Sequence, residues 1–139
     1  MSTSTRTGIV AWCVYDWANS SFATIVTTFI FATYFTKAIA PNVIIGTAQW
    51  GWMQALAGLC IAVMSPFLGA IADLNGRRKP WVFGFSMIAV IFSALLWFAK
   101  PDESWALYTL ICVGVATVGF EVGIVFYNAM LKSIAPRDY

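Results

Sequence analysis

Charged residues are scarce in this chain: Asp, Glu, Lys and Arg make up 10% of its 139 residues, and 60% are hydrophobic. Soluble domains carry about 25% charged and roughly 45–50% apolar residues, so a soluble protein of this size could not cover so much apolar surface. We therefore expect the chain to lie in a lipid bilayer, in agreement with its mean hydropathy of +0.79. The net charge of +2 is too small to indicate a nucleic-acid partner.

Histidine is absent from the chain, which excludes His-based catalysis and His-ligated metal sites. The three cysteines, Cys13, Cys60 and Cys112, lie far apart in apolar runs, so the spacing of a disulfide or metal site is missing. The sequence also lacks a nucleophile–base pair, a metal-ligand cluster and a phosphate-cradling loop. We therefore expect a protein that is not an enzyme and that uses no cofactor or metal.

Four long apolar runs are present, and each is close to or above the roughly 20 residues that a membrane-spanning helix needs. Turn-forming segments at 40–42 and 100–103 and a basic loop at 77–79 separate them. The runs are too long and continuous for barrel strands, so all four should be helices. The predicted fold class is an all-α membrane protein with four transmembrane helices, at about 9–35, 50–72, 81–99 and 105–131.

The Lys and Arg residues are divided unevenly between the two ends of the predicted helices. If the N-terminus is cytoplasmic, that side carries six of the eight: Arg6, Arg77, Arg78, Lys79, Lys132 and Arg137. The other side carries only Lys37 and Lys100. Because Lys and Arg are retained on the cytoplasmic side, we expect both termini to be cytoplasmic, in a protein of the cell (inner) membrane.

Two acidic residues fall inside predicted helices, where a carboxylate costs about 2.5–3.5 kcal/mol or more unless it faces water or a partner. Asp16 in the first helix and Glu121 in the fourth lie at depths of roughly 12 and 16 Å, counted at 1.5 Å per residue. Asn19 shares a helical face with Asp16, and Asn128 shares one with Glu121. The pattern predicts that these four residues line a water-filled pathway for a solute or a proton.

Hydroxyl residues extend the two polar faces, with Ser20, Thr24 and Thr27 on the first helix and Thr117 on the fourth. The alternative to a pathway is a structural network of hydrogen bonds that holds the helices together. The hydroxyls are the weakest pathway candidates, because Ser and Thr can bond the backbone of their own helix.

Small residues recur four positions apart on two of the predicted helices. The pairs are Gly119-x-x-x-Gly123 on the fourth and Gly58-x-x-x-Ala62 on the second. Such pairs let helix backbones approach closely, so they predict packing contacts rather than a functional site.

A dense basic loop joins the second and third helices, with the sequence Gly69-Ala-Ile-Ala-Asp73-Leu-Asn-Gly76-Arg77-Arg78-Lys79. Gly76 permits a tight reversal, and the three cations can anchor the loop to anionic lipid headgroups. Asp73 is harder to explain, because a carboxylate at a helix C-terminus opposes the helix dipole. We expect Asp73 to have a specific cationic or N–H partner; a local pair with Arg77 is the simpler alternative.

The basic loop resembles the motif between the second and third helices of the major facilitator superfamily of transporters. The matching positions are Gly69, Asp73, Gly76, Arg77 and Arg78, with Lys79 in register. Three other segments are similar to the vacuolar amino-acid-effluxer-like branch: Tyr15-Asp16-Trp17-Ala18-Asn19-Ser20, Gly119-Phe120-Glu121 and Phe126-Tyr127-Asn128-Ala129. The resemblance covers essentially the whole chain, so residues 1–139 are expected to form the N-terminal part of a major-facilitator-type helix bundle.

The resemblance implies transport of a small organic solute by alternating access, with amino acids and proton coupling among the options it leaves open. Asp16 and Glu121 would face the solute route, and the basic loop would act as a conformational latch. The family has about twelve helices where this chain has four. The expected partners are therefore the lipid bilayer, the solute, and either missing C-terminal helices or another chain. The alternative is a four-helix membrane module that oligomerises as a small exporter or a binding scaffold.

Overall fold

The computed structural model of the chain describes residues 3–75 and 78–134. This part is helical apart from short turns, and four of its helical segments are long and apolar enough to cross a membrane. In chain order, these first to fourth spans are Gly8–Ile39, Val43–Ile71, Lys79–Phe98 and Glu103–Met130. The all-α membrane class predicted from the sequence is confirmed.

The first span is not a uniform α-helix. It consists of helix α1 (Thr3–Phe22), a π-helical stretch (Ala23–Phe29), helix α2 (Ile30–Tyr34) and a second π-helical stretch (Phe35–Ile39). π-helical segments are rare and are found frequently at functional sites. No pattern in the sequence indicated this departure from regular geometry.

Three longer helices form the rest of the bundle: α3 (Val43–Asn75), α4 (Lys79–Leu95) and α5 (Ala106–Ile134). The side-chain oxygen of Asn42 accepts a hydrogen bond from the Ile45 backbone N–H at 2.9 Å, which satisfies one free donor at the start of α3. The second span therefore begins at Val43, earlier than residue 50, where the apolar run alone would start it.

The fourth span is the centre of packing. Half of its most apolar window is buried, compared with 6–11% of the corresponding windows in the other three spans. Val113, Ala116 and Val122 are completely buried there. The third span makes the most extensive contact with it, the second span the next, and α1 touches it much less. The first span therefore lies at the periphery of the bundle.

A very close contact between helices occurs at Gly119, where α5 crosses α4. A Cβ atom at Gly119 would lie 3.0 Å from the Phe85 carbonyl oxygen and 3.1 Å from the Ala89 backbone nitrogen. Gly119 therefore packs as its small-residue pair predicts. Gly58 does not, because a Cβ atom there would meet nothing within 4 Å among the described residues.

The two ends of the bundle differ in how firmly they hold the first span. We call the end where Arg78 and Lys79 lie the basic end. At the opposite end, Phe35 and Ile39 are 0% and 1% exposed, and the Phe35 ring lies 5.5 Å from that of Trp50 between centroids. The first span is thus fixed to the bundle mainly at the end away from the basic loop.

Candidate functional site

Asp16 lies on the exposed surface of α1, towards the basic end. Next to it, Tyr127 of the fourth span stacks on Trp12 with ring centroids 4.9 Å apart, and it tilts against Tyr15 at 4.8 Å. Asp16 follows Tyr15 directly in α1, on the exposed side of the helix. Asp16 therefore stands at the edge of the junction between the first and fourth spans.

The ring contacts also fix the relative heights of the two spans. Tyr127 meets Trp12 and Tyr15, and Phe120 meets Phe22 with centroids 4.7 Å apart, so the two helices run antiparallel. Asp16 is thus level with about residue 126, and Glu121 with about residue 21. Their heights differ by about 8 Å, at 1.5 Å per residue.

The sequence count gave depths of roughly 12 Å for Asp16 and 16 Å for Glu121, a difference of about 4 Å. The difference in the structure is larger because the two helices do not begin at the same height. Asp16 is closest in height to Asn128, and Asn19 is closest in height to Glu121. The four predicted pathway residues therefore form two levels rather than one.

Asn19 differs from Asp16 in its surroundings. It is half-buried and lines a groove of about 360 Å³ between the first, third and fourth spans. Tyr15, Ser86, Ser93 and Phe120 line the same groove. Asn19 thus faces the third span, whereas Asp16 is exposed, although both were assigned to one helical face from the sequence.

Glu121 and Asn128 are exposed on the fourth span. Because this span is otherwise largely buried, its exposed residues form a narrow face, which contains Leu107, Ile111, Glu121, Val125 and Asn128. The face is apolar at the end away from the basic loop and polar towards it. Thr117 does not belong to it, because its side chain is buried and donates to the Val113 carbonyl oxygen at 2.8 Å.

The hydroxyl residues of the first span bond the backbone of their own helix. Ser20 donates to the Asp16 carbonyl oxygen at 3.1 Å, and Thr24 donates to that of Ser20 at 3.0 Å. Thr27 donates to the Ala23 carbonyl oxygen at 2.7 Å. Their hydrogen-bonding capacity is partly used in this way, as the sequence reasoning anticipated.

The basic loop is described only in part. Gly76 and Arg77 lie outside the described residues, as does the side chain of Asp73, whose backbone belongs to α3. Gly69 is helical, and a Cβ atom there would meet nothing within 4 Å among the described residues. Arg78 reaches the fourth span: its guanidinium donates to the Ala129 carbonyl oxygen at 2.5 Å. This hydrogen bond ties the loop to the fourth span at the basic end.

Two hydrogen bonds near Asp16 were not predicted from the sequence. The hydroxyl groups of Tyr15 and Ser86 lie 2.6 Å apart, and the Tyr127 hydroxyl donates to the Trp12 carbonyl oxygen at 2.7 Å. They connect the first span to the third and to the fourth. The signal that could have marked the two tyrosines is their place in the segments that resemble the effluxer-like branch.

The sequence profile of the Major Facilitator Superfamily matches residues 3–139. The chain belongs to this superfamily. Together with the four apolar helices, this membership makes the chain an integral membrane protein. The basic loop, the first span with Asp16 and the fourth span with Glu121 all lie within the matched region.

Two curated proteins are similar to the chain over most of its length. One is an uncharacterized MFS-type transporter, YxiO, of Bacillus subtilis strain 168, with 35% identity over 130 residues. The other is an uncharacterized protein of Aquifex aeolicus strain VF5, with 27% identity over 132 residues. The matches cover 91% and 94% of this chain but 30% and 32% of the relatives, so the chain spans about a third of their length. No solved structure matches the chain.

Proposed function

We propose that the chain supplies the first four membrane spans of a secondary transporter that moves a small organic solute by alternating access. The superfamily match over residues 3–139 carries this proposal. The spans of the remaining chain, about two thirds of the length of the relatives, would complete the bundle and the solute route. Here "complete transporter" means these spans together with that remainder.

The exposed carboxylates support a polar route along the first and fourth spans. Asp16 and Glu121 are both exposed on the four-helix unit, with Asn128 near the height of Asp16. A carboxylate facing lipid at this depth is costly, so an aqueous cavity or a partner is the expected environment. We propose that Asp16, Glu121, Asn19 and Asn128 contribute to the route and that at least one carboxylate binds solute or carries a proton.

Amino acids are the first solutes to test, because three segments resemble the vacuolar amino-acid-effluxer-like branch. The experiment is uptake of a panel of labelled amino acids and other small organic solutes by the complete transporter in vesicles, with and without a proton gradient. Saturable uptake that responds to the gradient supports the proposal. Stable oligomers of the 139-residue chain that transport solute alone would favour the four-helix exporter instead.

We propose that both termini are cytoplasmic in the cell membrane, on the basis of the six-to-two division of Lys and Arg. In a variant lacking the native cysteines, an impermeant thiol reagent added outside intact cells should label Asp102→Cys and leave Asn75→Cys unlabelled. Labelling of Asn75→Cys from outside, with Asp102→Cys protected, would reverse the orientation.

We propose that Gly69, Asp73, Gly76, Arg77 and Arg78 form a conformational latch at the basic end. The hydrogen bond from Arg78 to the Ala129 carbonyl oxygen supports this proposal, because it joins one residue of the loop to the fourth span. Asp73→Asn is expected to reduce transport by the complete transporter more than Asp102→Asn. A carboxylate at the C-terminal end of a helix opposes the helix dipole, so Asp73 should have a specific cationic or N–H partner, and Asp73→Asn would weaken that interaction. The measurement is the initial rate of uptake per molecule of transporter in the membrane.

Asp102 is a suitable control because its environment is a solvated turn at the opposite end. Its carboxylate accepts hydrogen bonds from the hydroxyl and from the backbone N–H of Ser104, and these bonds lower the pKa of Asp102. An amide oxygen can accept the same bonds, so Asp102→Asn keeps most of the turn. Equal uptake by the two variants would leave the loop with a topological role only.

A further inference from the structure

Within the described four-helix unit, the part of the first span near the basic end has no fully buried residue. We call residues 8–22 the arm and the π-helical stretch Ala23–Phe29 the joint. No residue between 8 and 34 is fully buried, whereas Phe35 and Ile39 beyond them are 0% and 1% exposed. The first span is therefore anchored at its far end, and the arm lies against the bundle without entering its core.

The joint combines two features that are associated with bends in helices. The hydroxyl groups of Thr27 and Thr28 both donate to the Ala23 carbonyl oxygen, at 2.7 and 2.9 Å. Hydroxyl bonds of this kind often bend helices, and sharp kinks are commonly found at π-helical insertions. A change in the direction of the first span should therefore occur at the joint rather than within the regular α1 helix.

Two hydrogen bonds connect the arm to the helices beneath it. Tyr15 is paired with Ser86 of the third span, and Tyr127 of the fourth span donates to the Trp12 backbone. We call these two bonds the clasp. The clasp lies just before Asp16 in the sequence, so it determines where the carboxylate stands relative to the fourth span.

Space is available on the side of the arm that faces the third span. The groove of about 360 Å³ lies beside Tyr15 and Asn19, and a second groove, of about 710 Å³, extends from Tyr15 towards Lys79. Ser93 lines the first groove, and its hydroxyl is buried without a hydrogen-bond partner among the described residues. The Ser93 hydroxyl is thus available for a hydrogen bond in the groove that Asn19 of the arm also lines.

We propose that Tyr127 and Ser86 are positioning residues that hold the arm, and that the arm swings about the joint when the clasp opens. Asp16 is part of the arm, whereas Glu121 belongs to the central fourth span. A swing therefore changes the separation of the two carboxylates while the far end of the first span stays fixed. The role of this motion in transport rests on the proposed function, but the motion itself does not.

Distance measurements between paired spin labels test the swing on the 139-residue chain in lipid vesicles. The inner pair is Val10→Cys with Val125→Cys, and the outer pair is Ile30→Cys with Leu107→Cys, in a background with the three native cysteines replaced by Ala. All four positions are exposed. Val10 lies about 20 Å from the start of the joint at Ala23, so a bend of about 20° would move it by about 7 Å.

Tyr127→Phe and Ser86→Ala should each broaden or shift the inner distance by about this amount and leave the outer distance unchanged. Tyr108→Phe is the matched control, because the Tyr108 hydroxyl also donates from the fourth span to a backbone carbonyl, that of Leu95 in the third span, at 3.0 Å. An unchanged inner distance in both clasp variants would overturn the proposal. So would an equal shift in the outer pair, because the joint would then not separate two rigid parts.

A transport measurement separates the swing from its proposed use. In the complete transporter, Tyr127→Phe should shift the pH profile of uptake, because it frees the segment that carries Asp16, and Tyr108→Phe should not. A shifted inner distance with an unaltered pH profile would support the swing of the arm and contradict the proposal that this swing affects transport through Asp16. An unshifted inner distance would reject the arm whatever the uptake result.

Discussion

Asp16→Asn and Glu121→Gln are each expected to abolish uptake by the complete transporter, or to flatten its pH dependence, without lowering its amount in the membrane. Both carboxylates are exposed on spans that the proposed route would follow. Ionisable residues inside membrane spans are rare, and they usually face a water-filled cavity or take part in a pathway for ions, protons or solute. The amide variants keep the shape of the side chains and remove only the charge and the exchangeable proton.

Asp102→Asn and Glu103→Gln are the matched controls for these variants. They make the same chemical changes at exposed positions where the fourth span begins, and uptake should remain close to that of the unmodified transporter. If Asp16→Asn and Glu121→Gln instead lower the amount of protein, while the molecules that fold transport normally, the carboxylates are structural. The alternative of a hydrogen-bond network between helices would then be correct.

Gly119→Val is expected to destabilise the bundle more than Gly58→Val does. Even a single Cβ atom at Gly119 would lie 3.0–3.1 Å from backbone atoms of α4, and backbone atoms cannot rotate away. Overpacking in a well-packed region typically costs about 1–3 kcal/mol, and α4 and α5 form the most extensive helix pair. Thermal unfolding of the chain in detergent should show a lower midpoint or loss of the folded species.

Gly58→Val provides the comparison, because it adds the same side chain in a membrane helix of similar composition. A Cβ atom at Gly58 meets nothing within 4 Å among the described residues, so the 139-residue chain should tolerate the change. Equal stability of the two variants would show that the close approach of α4 and α5 at Gly119 is not maintained in the protein. The same comparison separates packing at Gly119 from the general cost of a β-branched residue in a helix.

Much of the fold could be predicted because hydropathy and turn residues act over long stretches of the chain. The four apolar runs and the Pro-containing breaks at 40–42 and 100–103 were sufficient for the helical class. The central position of the fourth span could not be predicted, because the spans are apolar on nearly every side and periodicity then does not indicate a buried face. The π-helical stretches were missed because no sequence pattern distinguishes them from regular helix. In the first stretch, Thr27 and Thr28 bond the backbone of their own helix, as hydroxyl residues in regular helices also do.

The candidate site could be predicted residue by residue but not in its arrangement. Ionisable residues inside apolar runs are conspicuous, so Asp16 and Glu121 stood out from the sequence alone. Their difference in height depends on the ring contacts of Tyr127 and Phe120, which join segments more than 90 residues apart. The turn of Asn19 towards the third span follows from the same tertiary contacts, which no local pattern encodes.

Aqueous accessibility of Asp16 and Glu121 tests the central claim most directly. The complete transporter without native cysteines would carry Asp16→Cys, Glu121→Cys or Ile91→Cys, and each would be treated in vesicles with a water-soluble, membrane-impermeant thiol reagent. Ile91 is the control because it is exposed on α4 within the third span, twelve residues from the start of that helix at Lys79. We predict labelling at positions 16 and 121 and none at 91. Absence of labelling at positions 16 and 121, from either side of the membrane, would contradict a solute route along the first and fourth spans.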